Sequence, residues 1–382
     1  MRIVLTGGVT GGHIYPAIAI AERFKEADPS TEVIYIASGH PLEREIIPDA
    51  GYELFEVDCE PFYRHNIKKI AMTLLRNLKG RTAAIRIMKK FKPDVVISTG
   101  SYVSVPVVLA AKHLGVPAYL HEQNGFPGIS NKVLARFSER IFLGFESAAR
   151  YFEDKSKIVY SGNPVRTEFS GRDKSEDRKS LGIDDGDFTI LIFGGSQGAD
   201  TTNVIGEALA EKYAGAEDVC IIWGTGERFY EKIMASEDER IKSSENIRIF
   251  PYISDMPKFL SAADISISRS GALSVAETAM AGRVAIFVPS PNVTEDHQYY
   301  NAKALADAGG AFIVREDNGA EATVDQISDI IEKLRADSAL MDKMSEAAKS
   351  KAPVNATDII YETVMNTYKT SKTKGSKGLG RR

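Results

Sequence analysis

Glu277 and Gln298 are side chains whose type and setting suit the binding of hydroxyl groups. Glu277 follows the triplet Ser270, Gly271 and Ala272 in a segment of small residues, and Gln298 follows a proline-containing loop. A carboxylate accepts hydrogen bonds from ribose hydroxyls, and a carboxamide can both donate to and accept from sugar hydroxyls. Either residue alone is typical of an ordinary polar loop, but the ordered pattern SGA-x-x-x-x-E, P-x-P and D-x-Q-x-x-N is more specific. The pattern predicts a ligand crevice at the carboxyl edge of a parallel sheet.

His13 is the candidate for acid–base chemistry near neutral pH. It ends the loop TGGVTGGH, between an apolar run at residues 2–5 and a helix predicted from about residue 16 to residue 27. Glycines in such a loop let backbone N–H groups approach an anion, and the helix start adds a positive dipole end. A histidine here can take up a proton or can cap the helix, and the residues alone leave both interpretations open.

Two further loops carry polar groups where a parallel strand is expected to end. The run His121, Glu122, Gln123 and Asn124 follows the apolar segment PAYL, and Ser196 lies in the Gly-rich turn of FTILIFGGSQGAD. The first run lies where substrates bind in this architecture, and the second predicts another anion cradle. The loop TGGVTGGH does not have the G-x-G-x-x-G spacing, and no acidic residue after the next strand is placed to bind an adenosine ribose, which argues against a nicotinamide dehydrogenase.

The elements that would position these residues alternate between buried strands and helices in both halves of the chain. The predicted fold class is α/β with two doubly wound parallel-sheet domains, and 382 residues are ample for two cores. We predict an N-terminal domain at residues 1–163, a C-terminal domain at 164–355, a last helix at 356–370 and a disordered basic tail at 371–382. The polar run at residues 171–187 is the expected linker.

Composition and charge disfavour several classes of protein. The formal net charge is −4, so no global attraction to nucleic acid or to an anionic membrane is expected. Cys59 and Cys220 lie far apart without metal-ligand spacing, which fits a reducing cytoplasm. The N-terminus resembles a strand rather than a signal peptide, and no apolar run reaches the ~20 residues that cross a bilayer. Any membrane contact is therefore expected to be peripheral.

Residues 61–93 depart from the even charge distribution, because they contain ten Lys or Arg and no Asp or Glu. Apolar residues at helical spacing lie among these cations in the segments IAMTLLRNL and AAIRIMKKF. A basic amphipathic segment can lie on an anionic lipid surface, at ~1 kcal/mol per positive charge, and we predict such contact through residues 64–92. Two ordinary surface helices are the alternative. Nucleic acid binding is disfavoured, because aromatic residues do not interleave with the charges.

Seven sequence blocks occur in an order that is specific to one family. They are TGGVTGGHIYPAIAIA, GSYVSVPVVLAA, HEQNGFPG, SGNPVR, IFGGSQGA, SRSGALSVAE and DHQYYNA. In this order they resemble the MurG family of bacterial UDP-N-acetylglucosamine transferases, over residues 1 to about 355. Val9 and Ser101 stand where family sequences have glycine, and GHPLERE replaces a Gly-Leu-Glu turn. These departures lie in the first half, so the resemblance is closer for the donor than for the acceptor.

The resemblance implies a fold and an activity. The fold is GT-B, in which two Rossmann-like domains face each other across a cleft, the first binding the acceptor, the second binding UDP-GlcNAc, and the last helix crossing back to the first. The activity is inverting transfer of GlcNAc from UDP-GlcNAc to the C4 hydroxyl of undecaprenyl-pyrophosphoryl-MurNAc-pentapeptide. That step belongs to peptidoglycan synthesis, and so to cell-wall biogenesis, cell shape and cell division. It implies a peripheral protein at the cytoplasmic face of the cell membrane.

The family motifs also imply binding residues, each carried over by position. On the sugar side and at the pyrophosphate these are Thr10, Gly11, Gly12, Asn124, Arg166 and Ser196. The backbone of Ile253 would bind uracil, and Gln298 would bind the GlcNAc hydroxyls. The residues that would bind the phosphate and ribose are Ala272, Leu273, Ser274, Val275, Ala276 and Glu277.

Transfer would need a base for the attacking hydroxyl, and His13 is the first choice with Glu122 in reserve. No D-x-D pair lies at a sugar-side strand end, so neither a metal nor another cofactor is expected. The alternatives are another GT-B enzyme, such as a transferase that glucosylates diacylglycerol or a UDP-GlcNAc 2-epimerase, and a non-catalytic regulator that binds a UDP-sugar.

Overall fold

Parallel β-strands alternate with helices along most of the chain and assemble into two separate sheets. The computed structural model describes residues 1–61, 67–195, 198–235, 239–293, 296–317 and 319–378. The chain divides into unit 1, which comprises Met1–Arg166 and the C-terminal segment from Asn355, and unit 2, which comprises Thr167–Val354. The predicted fold class, two doubly wound parallel-sheet domains, is confirmed.

Within the described residues, the sheet of unit 1 has seven strands. They are β1 (Arg2–Thr6), β2 (Glu32–Ala37), β3 (Glu53–Glu56), β4 (Val95–Ser98), β5 (Ala118–Glu122), β6 (Arg140–Leu143) and β7 (Ile158–Tyr160). Their order is β3-β2-β1-β4-β5-β6-β7, and each neighbouring pair is parallel. The order reverses direction between β1 and β4, where the carboxyl ends of parallel strands leave a crevice.

Helices cover both faces of this sheet. They are α1 (Gly11–Ala27), α2 (Pro41–Asp49), α3 (Ile67–Phe91), α4 (Ser104–Leu114) and α5 (Ile129–Leu134). Side chains alternate across β1 as its pleat requires: Ile3 and Leu5 pack with Phe24 of α1, whereas Val4 packs with Val107 of α4 on the opposite face.

Unit 2 repeats the arrangement with six strands among its described residues. They are β8 (Phe188–Phe193), β9 (Val219–Gly224), β10 (Ile247–Phe250), β11 (Ile265–Ser268), β12 (Val284–Phe287) and β13 (Ala311–Ile313), in the order β10-β9-β8-β11-β12-β13. Its helices are α6 (Lys174–Leu181), α7 (Asp200–Tyr213), α8 (Glu227–Met234), α9 (Glu239–Ser243), α10 (Met256–Ala262), α11 (Ala272–Ala281), α12 (His297–Ala306), α13 (Ala320–Ala336) and α14 (Ser338–Lys349). The core is built on strand residues such as Ile190, Ile192 and Trp223.

The last helix, α15 (Ala356–Gly378), belongs to unit 1 and packs on α1. Ile360 and Val364 are fully buried in the unit 1 core, and Asp358 accepts a 2.5 Å hydrogen bond from Arg23 of α1. The helix continues to Gly378, past residue 370, where the sequence predicted its end. Once packing has ordered the first turns, each added residue gains a backbone hydrogen bond, so a polar sequence can prolong the helix.

Three other elements differ from the sequence prediction. The helix that carries His13 begins at Gly11 instead of about residue 16, because the Thr10 carbonyl already accepts hydrogen bonds from the His13 and Ile14 amides at 3.0 and 3.2 Å. The polar run at residues 171–187 contains α6, whose start is capped by the Asp173 side chain, and the units join at residues 166–167 and 354–355. From Ile67 to Phe91 the basic segment forms the single helix α3, and residues 64–66 of the predicted membrane contact lie outside the described residues.

Candidate active site

The Thr99 carbonyl holds His13 at the carboxyl edge of the unit 1 sheet. His13 Nδ1 lies 2.8 Å from the Thr99 carbonyl oxygen, and the Thr99 hydroxyl donates to the His13 carbonyl at 2.7 Å. A carbonyl oxygen can only accept a hydrogen bond, so Nδ1 must carry the proton, and in neutral imidazole Nε2 then keeps its lone pair. The side chain is partly exposed. This arrangement presents Nε2 as a proton acceptor.

The turn before His13 leads into the exposed start of α1. Thr10 is the N-cap residue of this helix, but its side chain makes no capping hydrogen bond. Thr10 and Gly12 are exposed and Gly11 is partly exposed. The amides of Gly11 and Gly12 precede the first amide used within the helix, that of His13. The first amides of a helix point out of its end, so this turn can receive an anionic or hydroxyl-bearing group.

Glu122, the reserve candidate for the base, is buried and accepts four hydrogen bonds from its own loop. Oε1 accepts from the Asn124 amide and side chain at 3.0 and 3.2 Å. Oε2 accepts from the Gly128 amide at 3.0 Å and from Asn131 Nδ2 at 2.8 Å. Its side chain is 1% exposed. Both carboxylate oxygens are thus engaged by donors within the protein and shielded from solvent, so this geometry suits loop ordering better than proton transfer.

His121 lies beside this loop as a second, fully buried imidazole. Its Nε2 is 3.0 Å from the Gly162 carbonyl oxygen, and its Nδ1 is 3.0 Å from Gln123 Nε2. Burial lowers the pKa of His121 to about 4, with the hydrogen bond to Gly162 opposing and the nearby His13 assisting the shift. His121 is therefore neutral at pH 7, and its two ring nitrogens are both occupied. The two imidazoles thus have different roles: His121 is structural, and His13 remains accessible.

Arg166 and Asn124 are also placed near these elements. The Arg166 guanidinium lies 5.3 Å from the ring centroid of Tyr15, which follows His13 on α1. Asn124 donates its side-chain amide to Glu122 and stays partly exposed. Unit 1 therefore brings Thr10, Gly11, Gly12, His13 and Arg166 to the start of α1, while Glu122 ends β5 and Asn124 lies in the loop after it.

Helix α11 holds the run from Ala272 to Glu277 in unit 2. Its N-cap is Gly271, which offers no side-chain cap, and its first turn has no acidic residue. The helix start can therefore bind a phosphate through backbone amides and the dipole. Helical geometry divides the run: Ala272, Val275 and Ala276 are buried, whereas the side chains that reach the surface are those of Leu273, Ser274 and Glu277.

Gln298 is fixed at the start of α12 by the loop after β12. Its Oε1 accepts a hydrogen bond from the Ser290 amide at 2.9 Å, which leaves the carboxamide NH₂ group as the part that can donate to a ligand. Asn301, one turn later, donates to the Ser270 carbonyl at 3.2 Å and so ties α12 to the loop before α11. Ile253 follows β10 with a buried side chain, and Ser196 lies outside the described residues.

Two residues that position the unit 1 site were not identified from the sequence. Thr99 orients His13 through its backbone carbonyl, and Asn131 joins the His121 carbonyl to Glu122 through Nδ2, at 3.2 and 2.8 Å. Thr99 directly follows β4, so the rule that sites lie after parallel strands could have identified it. Asn131 lies inside α5, where the sequence gives no such signal.

The first half of α3 has its apolar side chains on the outside. Thr73 and Asn77 face inward and are buried. Gly80 also faces inward, and a Cβ at this position would lie 2.2 Å from the Asp58 carbonyl oxygen. The side chains that are 48–56% exposed are those of Met72, Leu74, Leu75 and Leu78. We call these four residues the α3 apolar surface.

A metal-binding cluster and a membrane-spanning helix are both absent from the described part of the chain. In it, no set of three or more His, Cys, Asp or Glu side chains is placed to hold a metal ion. Among the same residues, no helix combines the length and apolar character that a membrane span requires.

Comparison with known proteins identifies the family. Residues 3–143 match the glycosyltransferase family 28 N-terminal domain, and residues 189–359 match its C-terminal domain. The UDP-N-acetylglucosamine–N-acetylmuramyl-(pentapeptide) pyrophosphoryl-undecaprenol N-acetylglucosamine transferase of Caldicellulosiruptor saccharolyticus is 40% identical over 361 residues, covering 94% of this chain and 96% of the relative. The transferase of the same name from Acetivibrio thermocellus is 37% identical and covers 97% and 99%.

Solved structures agree in fold. The crystal structure of MurG from Acinetobacter baumannii has a TM-score of 0.72 at 28% identity, covering 96% of this chain and 99% of that chain. A UDP-GlcNAc 2-epimerase from Neisseria meningitidis has a TM-score of 0.69 at only 15% identity, with 96% and 100% coverage, so that likeness concerns the fold alone. Sequence identity therefore separates the transferases from the epimerase where fold does not. The chain belongs to the MurG family, the UDP-N-acetylglucosamine–N-acetylmuramyl-(pentapeptide) pyrophosphoryl-undecaprenol N-acetylglucosamine transferases.

Proposed function

We propose that this protein transfers GlcNAc from UDP-GlcNAc to the C4 hydroxyl of undecaprenyl-pyrophosphoryl-MurNAc-pentapeptide, with inversion at the anomeric carbon. Full-length relatives at 40% and 37% identity bear the name of this transferase. The structural observation that carries the proposal is the orientation of His13, whose Nδ1 is fixed on the Thr99 carbonyl at 2.8 Å. An accessible proton acceptor at a sheet edge is what an attacking hydroxyl requires.

The proposed reaction is a single displacement. The acceptor oxygen forms a bond to C1 of GlcNAc while the bond from C1 to the pyrophosphate oxygen breaks, and UDP leaves with that electron pair. His13 Nε2 takes the hydroxyl proton. The leaving pyrophosphate gains negative charge, so the amides at the start of α11, together with Arg166 and Ser196, are proposed to stabilise it.

We assign the remaining groups to the two substrates. Glu277 binds the ribose hydroxyls, the backbone of Ile253 binds uracil, and the Gln298 NH₂ group binds GlcNAc hydroxyls. Asn124 and the turn formed by Thr10, Gly11 and Gly12 bind on the sugar side. His13 is favoured over Glu122 as the base, because Glu122 is buried with both oxygens engaged by four donors, whereas His13 is partly exposed.

The test is incubation with radiolabelled UDP-GlcNAc and the undecaprenyl-pyrophosphoryl-MurNAc-pentapeptide, followed by extraction and mass spectrometry of the lipid product. Labelled disaccharide lipid is the expected result. A UDP-GlcNAc 2-epimerase would convert the donor to its C2 epimer without acceptor, and a lipid glucosyltransferase would label diacylglycerol instead. A regulator would bind the donor and leave it unchanged.

We further propose that the α3 apolar surface docks on the cytoplasmic face of an anionic membrane. Four exposed apolar side chains on one helix gain ~25 cal/mol for each Å² removed from water. Arg76 lies between Leu75 and Asn77 and contacts Glu60 at 2.6 Å, so part of the positive charge is offset locally. The apolar side chains should therefore contribute a larger share of the binding than the charge count of residues 64–92 suggests.

Vesicle co-sedimentation tests this docking. Full-length protein should bind vesicles of phosphatidylglycerol and phosphatidylcholine, and Leu75→Glu should reduce binding by ~10-fold or more through the loss of a buried Leu and the addition of a repelled charge. Val204→Glu is the matched control, because Val204 is 41% exposed on α7 of unit 2. Equal losses in both variants, or no binding by the unmodified protein at low salt, would contradict the proposal.

A further inference from the structure

Glu43 on α2 is a charged residue that is completely buried, with 0% of its side chain exposed. Its carboxylate makes no salt bridge to a cation among the described residues. It accepts hydrogen bonds from three groups instead. Oε1 accepts from the Val9 amide at 2.8 Å, Oε2 accepts from the His40 amide at 2.8 Å, and both oxygens lie within 3.0 Å of the Ser38 hydroxyl. A buried charge without a counterion needs such donors to remain in the fold.

The Val9 amide bound by Glu43 belongs to a backbone position that disfavours valine. Val9 has φ = 73°, in the left-handed region, where a β-branched side chain is an outlier. The preceding residue, Gly8, has no space for a side chain, because a Cβ there would lie 1.9 Å from Glu43 Oε1. Tyr35 fixes the other end of the turn, donating its hydroxyl to the Gly7 carbonyl at 2.7 Å. Glu43 and Tyr35 therefore hold both sides of a strained turn.

We propose that Glu43 is a positioning residue for the transfer reaction: it keeps Val9 in the left-handed conformation and thereby sets the position of His13. The inference rests on the proposed function, since it concerns the base of that reaction. The turn formed by residues 7–10 joins β1 directly to α1, and His13 lies in the first turn of that helix. If the Val9 amide were released, Val9 would relax toward negative φ and change the direction in which the chain enters α1. A displacement of ~1 Å at a catalytic group can lower the rate by ~10²-fold.

A capping role for Glu43 is the competing explanation. Glu43 is the N3 residue of α2 and completes a capping box with His40, so removing it would weaken α2 even if the turn were unaffected. The two roles use different hydrogen bonds, to the Val9 amide and to the His40 amide. Only the positioning role predicts that the effect of a Glu43 substitution depends on the residue at position 9.

A double-mutant cycle of Glu43→Gln and Val9→Gly separates the two roles. Glutamine keeps one oxygen and puts an NH₂ group in place of the other, so it cannot accept from both amides. Glycine adopts positive φ without strain, and it should hold the turn in place without Glu43. We expect Glu43→Gln to lower kcat by ~10-fold with little change in the KM for UDP-GlcNAc, and by less than ~3-fold in the Val9→Gly background. Glu45→Gln, on the exposed side of the same helix, is the matched control and should keep normal kcat.

Amide hydrogen exchange provides a measurement that needs no substrate. Exchange of the amides of residues 8–13 should be faster in Glu43→Gln and should return toward the unmodified rate in the double variant. An equal loss of kcat in both backgrounds, with unchanged exchange at residues 8–13, would overturn the positioning role and leave only the cap. If the unmodified protein makes no product, the proposed function fails, but the exchange cycle still decides whether Glu43 holds the turn.

Discussion

The two sheets share the strand order of a doubly wound fold, but different groups lie at their carboxyl edges. The edge of unit 1 carries polar side chains that are hydrogen-bonded to side-chain and backbone groups, such as Glu122 with four donors and His121 with two partners. The edge of unit 2 has an uncapped helix start at Gly271 and small residues around it. The same topology therefore yields a network of hydrogen-bonded polar groups at the edge of one unit and an uncapped helix start at the edge of the other.

The difference matches the roles that we propose for the two edges. A proton acceptor must be held in one orientation, and buried hydrogen bonds supply that rigidity, as the Thr99 carbonyl does for His13. A pyrophosphate is large and charged, and it is bound well by amides that already point the same way. We expect substitutions at the unit 1 edge to change kcat or folding, and substitutions at the unit 2 edge to change the KM for the donor.

His13→Ala should give the largest effect. Removal of a positioned base typically lowers the rate by ~10²–10⁴-fold, and the KM for UDP-GlcNAc should change little, because no contact with the donor is assigned to the His13 side chain. Steady-state kinetics with both substrates varied would measure this. His113→Ala is the matched control, since His113 is exposed at the end of α4. Near-normal kcat in His13→Ala would show that another group is the base. It would also contradict the expectation that the unit 1 edge controls kcat and the unit 2 edge controls the KM for the donor.

The buried His121 should make unit 1 sensitive to acid. Its pKa of about 4 in the folded protein lies below the ordinary value of 6.5, so between these values the unfolded chain binds a proton that the folded chain does not. Stability should therefore fall as pH drops from about 6.5 to about 4, by ~3 kcal/mol in total. Unit 2 contains a single histidine, the partly exposed His297.

Thermal unfolding of the unmodified protein and of His121→Gln between pH 7 and pH 4.5 measures this contribution. Glutamine can still donate to the Gly162 carbonyl but does not titrate. The variant should be less stable at pH 7 and should lose less stability on acidification. Parallel pH profiles for the two proteins would show that His121 does not contribute to acid sensitivity.

Gln298 offers a smaller effect that tests the unit 2 edge. Gln298→Ala should raise the KM for UDP-GlcNAc by ~10-fold, which corresponds to ~1.4 kcal/mol, while kcat stays within a few fold. Gln298→Glu serves as the comparison, because a carboxylate oxygen can still accept from the Ser290 amide but the NH₂ donors are gone. A rise in KM in both variants assigns the effect to the donors. A rise in the alanine variant alone would assign it to the loop that Gln298 fixes.

The sequence predicted the sheets well because their signal is local. Apolar runs such as VVIS and IVY in unit 1 and ISIS and VAIF in unit 2 became buried or half-buried strands, and the Gly-rich loops lie at helix starts. Helix α3 shows the limit of such patterns. Its apolar positions suggested a core-facing stripe as one alternative, yet Thr73 and Asn77 face inward, because periodicity cannot say which of two stripes meets the sheet.

The site was harder to predict where backbone atoms orient the functional side chains. The sequence placed His13 and Glu122 at the carboxyl ends of parallel strands, and in the structure His13 lies beyond the end of β1 and Glu122 is the last residue of β5. It could not show that the Thr99 carbonyl fixes the His13 tautomer, because every residue has a carbonyl. It also could not show that Glu122 is enclosed by the amides of its own loop, since those contacts depend on how residues 122–131 fold back on themselves.

The turns that follow β1 and β8 differ in which residue types adopt positive φ, and we expect the smallest effect from a substitution there. Among the described residues of the turn after β8, those with positive φ are Gly195 and Gly198, whereas the turn after β1 has Val9 at φ = 73°. A left-handed conformation costs a non-glycine residue ~1–2 kcal/mol. Glycine avoids this cost, but its greater freedom in the unfolded chain lowers the free energy of unfolding by ~0.5–1 kcal/mol. Val9→Gly should therefore stabilise the protein by about 0.5–1 kcal/mol and raise its Tm by roughly 2 °C.

Val9→Ala is the control for this prediction, because alanine removes the branched side chain but keeps the Cβ that makes positive φ costly. Calorimetry should show a gain for glycine and little or none for alanine. A gain of equal size in both variants would assign the effect to side-chain packing and not to the backbone. Since Val9 is only partly buried, little packing energy is at stake, so the backbone term should dominate and the turn of unit 1 should come to resemble that of unit 2.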